Sequence, residues 1–420
     1  MPAETYILSP ILQTFNNAQE LPVFLNNLLY STTKPDDLLS PSSVDEYGIS
    51  VAISNDYYVV GMPKYDYYDD VYTRDAGMAI IYDKATGDVL HVLENPSEFP
   101  KADSWFGLAV AQSNEYTVVA ARESNVYDSE GTYVADGGAI FVYENSTGNL
   151  LHSIYSPAMT TRERLGWFID ISSDNKIAVR GVGVYVYDAA TGQQLLHIQS
   201  PNPLNASAAA TALAIEGDTL VIGFDSQNVE SVLEGIAVQY SVSTGQLIRT
   251  FYNPRPTPED YIDRFGRAVG VSQSYIVIGS ADRNAETGDS LGAVYIFDKA
   301  TGQQLHYIKD PDVWPDSVAN DGFGLTIAMT DQYLVVPAAY ESIPWVPQPG
   351  GVATEGQEMK EAGVVYIFDP ATGTLLHTIT DPVDEGLTVN NRFGRAVGIH
   401  GTHVVASASY QTTGEVFVYE

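Results

Sequence analysis

The sequence predicts an all-β chain folded as a seven-bladed β-propeller, and three observations carry that expectation. A GAVYIFD-like segment with an aromatic in its sixth place occurs seven times, marked by Tyr82, Tyr143, Tyr187, Tyr240, Phe297, Phe368 and Tyr419. A Thr-Gly turn follows six of the seven, at Gly87, Gly148, Gly192, Gly245, Gly302 and Gly373. These segments are apolar on both alternations, as strands covered on both faces are. Sheets stacked radially around an axis satisfy that requirement, because each is covered by a neighbour on either side. A β-sandwich is the competing architecture, and seven matched units disfavour it.

Each unit reads as four strands, a to d. In the fifth, strand a is 265–271 (FGRAVGV), b is 275–279 (YIVIG), c is 292–298 (GAVYIFD) and d is 305–311 (LHYIKDP). Val, Ile, Tyr and Phe fill the strands, and Gly, Asn, Asp and Ser punctuate them. Equivalent openings lie near Gly48, Gly107, Gly166, Ala212, Gly324 and Gly394. The heptapeptide RFGRAVG at 264–270 returns unchanged at 392–398, which marks it as a blade opening.

The seventh unit has no strand d, because the sequence stops one residue after Tyr419. Strand d elsewhere closes as His-x-Ile-x-x-Pro, as from His377 to Pro382, and residues 5–10 (TYILSP) offer matching spacing. They are predicted to pair with the last strand c, closing the ring and hiding a sheet edge. Residues 36–41 (DDLLSP) compete for the role, with Pro35 against them. The expected organisation is one domain: closing strand 1–10, insertion 11–45, propeller 46–420. Within the insertion, Leu21, Phe24, Leu25, Leu28 and Leu29 follow helical spacing, with Pro22 suited to a first turn. A short amphipathic helix is expected there, packed on the ring or docking a partner in an assembly.

Antiparallel order separates two faces. The a–b turns (54–56, 113–115, 216–218) and the Thr-Gly turns are short and form a plain face. The b–c and d–a connections collect the long insertions: 64–75, 123–136, 341–361, 98–104, 255–263 and 312–320. Function sits preferentially on variable loops held by a rigid scaffold, so this second face is the expected binding surface. Its candidate ligand-binding residues are Tyr65, Tyr67, Tyr68, Asp69, Asp70 and Tyr72, with Trp314 and Trp345. Tyrosine gives contact area at low entropic cost; the plainer reading folds that loop onto its own blade.

Composition limits the partners. The net charge is −33, from 53 acidic against 20 basic residues, which argues against nucleic acid. The chain has no cysteine, so disulfides and thiolate chemistry are absent. No run approaches a membrane span, and the start has no secretion signal.

Phe106-Gly107, Phe265-Gly266, Phe323-Gly324 and Phe393-Gly394, with the Gly-Ala-Val-Tyr of strand c, resemble the FG-GAP repeat. That repeat builds the seven-bladed head of integrin α-subunits and many microbial and viral surface proteins. Units one, three and four depart, with Tyr47-Gly48, Leu165-Gly166 and no Phe-Gly near Ala212. The resemblance implies adhesion or ligand recognition on one rim, hence an extracellular, cell-surface or virion setting. Several family blades bind calcium through an Asp-x-Asp-x-Asp-Gly loop; the a–b turns here are too short to hold one.

Chemistry is sparse. Asp282, Asn284, Glu286 and Asp289 place oxygen ligands near one another, a weak calcium pattern broken by Gly288. His91, His152, His306 and His377 share one repeat position, which scatters them around the outer edge. His400 and His403 share one a–b turn. Arg267 and Arg395 point to the channel or pair with acids. No nucleophile elbow, P-loop or dinucleotide fingerprint appears. The expectation is a non-catalytic propeller that recognises a protein or glycan; a structural part of a viral or filament assembly and a carbohydrate-active enzyme are the alternatives.

Overall fold

A computed structural model describes the chain from Asn27 to Glu420, apart from residues 37, 39–44, 69–71, 98–101, 128–131, 159, 206–207, 230–231, 256–262, 281–291, 312–321, 341–342, 345–357, 360–361, 383–391 and 410–413. Seven four-stranded antiparallel sheets follow one another as the blades of a propeller. Blade 5 comprises Val269–Val271, Tyr275–Ser280, Ala293–Asp298 and Gln304–Lys309, hydrogen-bonded in sequence order from the axis outward. The other c strands are Met78–Asp83, Ala139–Glu144, Gly183–Asp188, Ile236–Ser241, Val364–Phe368 and Glu415–Tyr419. The described residues contain no helix.

The core is divided among the blade interfaces, and this explains the unbroken apolar c strands. In blade 5, Val294 and Ile296 pack into a cluster shared with blade 6, alongside Leu334, Val336 and Tyr366. The alternate residues Ala293, Tyr295 and Phe297 face blade 4 with Val221, Ala237 and Phe251. Both sides of the pleat are therefore dry, and polar substitution on either side would leave a group without water.

The blade-opening motif has a physical cause. Phe106, Phe265, Phe323 and Phe393 are all buried plugs between blades, and Tyr47 and Leu165 fill the same place in blades 1 and 3. The glycine after Phe265 has φ of 89°, and a Cβ on it would strike the carbonyl oxygen of Ile236 in the preceding blade. Strand a is shorter than the sequence suggests in blade 5. Arg264 to Arg267 form a turn, the Arg267 N–H donating to the Arg264 carbonyl at 3.0 Å, so the ladder starts only at Val269.

Blade 7 corrects the expected closure. Phe393–His400, His403–Ala408 and Glu415–Tyr419 are completed by Leu28–Thr33, antiparallel to Glu415–Tyr419, with Thr33 opposite Glu415 and Thr32 opposite Val416. Residues 5–10, assigned to this edge above, lie outside the described residues, and the place is already filled. Leu28 and Leu29, counted above toward a helix, head the strand; Leu21, Phe24 and Leu25 lie outside the described residues. The closing strand is therefore 28–33, within the segment read as an insertion.

Specific bonds hold this strand. Asn27 and Glu420 exchange backbone N–H···O=C bonds, each of 3.0 Å. Thr32 Oγ1 accepts from the Tyr47 hydroxyl at 3.2 Å and the Tyr58 hydroxyl at 3.3 Å, both from blade 1. Tyr47 and Tyr82 share a hydroxyl–hydroxyl bond of 2.8 Å, and Tyr82 stacks on Tyr58 with centroids 4.8 Å apart. The Tyr30 hydroxyl donates to the Lys84 carbonyl in the c–d turn of blade 1.

That last bond recurs at three other blade junctions. The third residue of strand d reaches the c–d turn of the next blade. His152 Nε2 meets the Ala190 carbonyl at 2.9 Å, Arg249 Nη2 donates to the Ala300 carbonyl at 2.7 Å, and His306 Nε2 meets the Ala371 carbonyl at 2.8 Å. His152 and His306 are thus clasps between blades, whereas His197 Nε2 turns back to the Val182 carbonyl of its own blade at 2.9 Å.

Candidate functional site

Strand a lies innermost, so its end at the a–b turns lines the mouth of the central channel. A cavity of about 620 Å³ sits there, with Asp170, Glu216, Asp331 and His400 among its lining residues. Asp170 is half-buried and bridges blades, accepting from the Ile215 N–H at 2.8 Å and the Ile171 N–H at 2.9 Å. Burial raises its carboxyl to about 7 against the opposing pull of those two bonds. Asp331 is held by Ser272 Oγ at 2.5 Å and the Ser274 N–H at 2.9 Å, and Glu216 by Ser173 Oγ at 2.5 Å. The plain face is therefore a belt of acids tied to neighbouring turns.

The opposite face carries the elaborations. Among the described residues, four b–c connections fold into two-stranded ribbons: Tyr67–Tyr68 with Tyr72–Thr73, Val126–Tyr127 with Tyr133–Val134, Asn228–Val229 with Val232–Leu233, and Ile343–Pro344 with Glu358–Met359. Blade 3 instead makes a tight Gly181-Val182-Gly183 turn.

The tyrosine loop divides between packing and exposure. Tyr65 is buried and meets Tyr67 edge-on, centroids 5.2 Å apart. The Tyr67 hydroxyl donates to the Gly77 carbonyl at 3.2 Å, and burial pushes its pKa up. Tyr72 stays 50% exposed and donates to Asp66 Oδ2 at 2.9 Å, a bond that raises its pKa. Asp66, itself buried, also accepts from the Asp75 N–H at 2.7 Å, which fixes the ribbon. The Tyr68 side chain, Asp69, Asp70, Trp314 and Trp345 lie outside the described residues, as do Asp282, Asn284, Glu286 and Asp289.

The second ribbon adds two residues that the sequence reading did not single out. Tyr127 and Tyr133 pair edge-on, centroids 5.6 Å apart, and are 40% and 52% exposed. Their signal was available: VYDSEGTYV places a tyrosine on each side of a polar turn.

Arg267 pairs with Asp225 at 3.2 Å, as expected of an arginine in so acidic a chain. His400 and His403 face each other across their turn, and burial lowers both pKa values. Among the described residues no group of three or more His, Asp or Glu could hold a metal ion, and no helix is long and apolar enough to cross a membrane.

No protein-family model matches the chain, and no curated protein aligns with it significantly. Fold and faces together define a seven-bladed β-propeller, an architecture consistent with recognition or binding.

Proposed function

We propose that this chain is a non-catalytic recognition module of the FG-GAP type, binding a protein or glycan at a cell or virion surface through its b–c and d–a face. The observation that carries the reading is the asymmetry between faces. On one side short turns join the strands within each blade, and the other carries aromatic ribbons around a rigid ring. Tyr72, Tyr127 and Tyr133 supply exposed aromatic area there. The channel acids support no reaction in this reading, because Asp170 spends both oxygens on backbone N–H groups.

The test is a glycan array with pull-downs, using wild type and the triple variant Tyr72→Ala/Tyr127→Ala/Tyr133→Ala. Binding lost by at least tenfold, at an unchanged melting temperature, supports the face. Binding retained by the triple variant removes it.

A further inference from the structure

Basic residues are scarce in this chain, 20 against 53 acids, yet three arginines converge on one indole. The guanidinium carbons of Arg122, Arg180 and Arg164 lie 3.8, 5.0 and 5.7 Å from the Trp167 ring centre, and Arg122 lies 4.8 Å over Trp105. Arg122 directly follows strand Tyr116–Ala121, and Arg180 lies near the end of Lys176–Gly181. Trp105 directly precedes strand Phe106–Gln112, and Arg164 and Trp167 lie just before Ile169–Ile171. All five therefore stand at strand ends facing the b–c and d–a side, between blades 2 and 3.

The charges do not balance locally. Arg122 pairs with Glu123 at 2.7 Å, and Arg164 with Glu123 at 3.0 Å and Asp136 at 3.7 Å. Among the described residues, Arg180 makes no side-chain hydrogen bond or ion pair. The charges that act on it are Arg122 and Arg164, which with burial lower its pKa. Arg122 is itself 8% exposed, and its Nε has no partner. The fold does not demand this arrangement. In the corresponding slot between blades 4 and 5, Asp225 takes the place of Arg122 and Arg267 that of Trp167, and the two form an ion pair.

A partly buried cation beside two like charges is costly unless an anion compensates it. Guanidinium presents a planar fork of donors that matches a carboxylate. Three guanidiniums lie 3.8–5.7 Å from the Trp167 ring centre, a concentration of positive charge that favours a carboxylate of a peptide over a neutral sugar. We propose that Arg180, with Arg122 and Arg164 around Trp167, receives one carboxylate of a protein partner, an Asp or Glu side chain presented to this face. The proposal rests on the recognition reading above and specifies the partner's chemistry.

Its test needs no natural partner, so it can fail independently of that reading. The chain has four tryptophans, so fluorotryptophan labelling gives four ¹⁹F resonances, and Trp167→Phe identifies the relevant one. The full chain is titrated with acetyl-Gly-Asp-Gly-amide, its Asn counterpart and inorganic phosphate. The Asp peptide should move the Trp167 signal saturably, with a roughly millimolar Kd. The Asn peptide should leave it in place. Arg180→Gln should weaken the response at least tenfold, and Arg180→Lys should restore part of it. If Arg180→Gln does not fold, the Asp–Asn comparison on the wild type still decides. An unmoved Trp167 signal, an equal response to both peptides, an undiminished response in Arg180→Gln, or a response to phosphate alone would overturn the proposal.

Discussion

Thr32 gives the closure of the ring a single-atom test. Its hydroxyl oxygen is the shared acceptor for Tyr47 and Tyr58, two buried tyrosines of blade 1, at 3.2 and 3.3 Å. Thr32→Val keeps the shape and the strand preference and removes only that acceptor. The Tyr47 hydroxyl keeps its bond to Tyr82, so the loss falls on the buried Tyr58 hydroxyl, at about 1–3 kcal/mol. For a 420-residue chain, about 2 cal/mol/K per residue converts this to a fall in Tm of roughly 1–3 °C. Thr32→Ser keeps the acceptor and loses one methyl, at about 0.8 kcal/mol. The informative assay is a double-mutant cycle in urea with Tyr58→Phe, since residues in contact are coupled while distant ones add. The cycle should show a coupling of about 1 kcal/mol. Additivity within about 0.3 kcal/mol would refute the contact between closing strand and blade 1.

Other consequences follow from the clasps and the buried acids. His152→Ala removes the bond to the Ala190 carbonyl and should cost about 0.5–1.5 kcal/mol by urea denaturation. Gly192→Ala should cost more, because that residue has φ of 68° and a Cβ would crowd the His152 ring at 2.9 Å. Asp170 titrates at about 7 when folded against an ordinary 3.8, so its protonated form favours folding. That contribution is full below about pH 4 and is lost as pH rises through 7, a swing of at most roughly 4 kcal/mol. Asp170→Asn should flatten the stability–pH curve over this interval, with a residual slope from Glu163, whose carboxyl is also raised by burial. An unchanged curve would contradict a half-buried Asp170 whose carboxyl is raised on folding.

Blade number was legible because one physical condition, burial on both sides of strand c, imprints seven similar segments such as AVYIFD and VFVY. The closing strand was not, although its signature was present. Asn27-Leu28-Leu29-Tyr30 matches Asn149-Leu150-Leu151-His152 residue for residue except that Tyr replaces His. The distinguishing feature of strand d is the residue that clasps the next blade, and tyrosine does this as well as histidine. Leu28 and Leu29 also fit a helical period together with Leu21, Phe24 and Leu25, and a short apolar run does not choose between the two. The candidate surface was legible only as a face. Tyr65 and Tyr72 look alike in sequence, and neither the edge-on contact of Tyr65 with Tyr67 nor the bond of Tyr72 to Asp66 is visible there. The arginine cluster was out of reach, because Trp105, Arg122, Trp167 and Arg180 meet only when blades 2 and 3 stack.

The closure itself can be measured by cross-linking, and the absence of native cysteine makes the experiment clean. Thr33 and Glu415 are direct partners in the ladder of blade 7, at a separation that suits a disulfide. Thr33→Cys/Glu415→Cys should oxidise within one chain and raise the melting temperature, reversibly with reductant, while Ile7→Cys/Glu415→Cys stays reduced. Two free thiols in the first variant, with a cross-link in the second, would contradict a ring sealed by Leu28–Thr33.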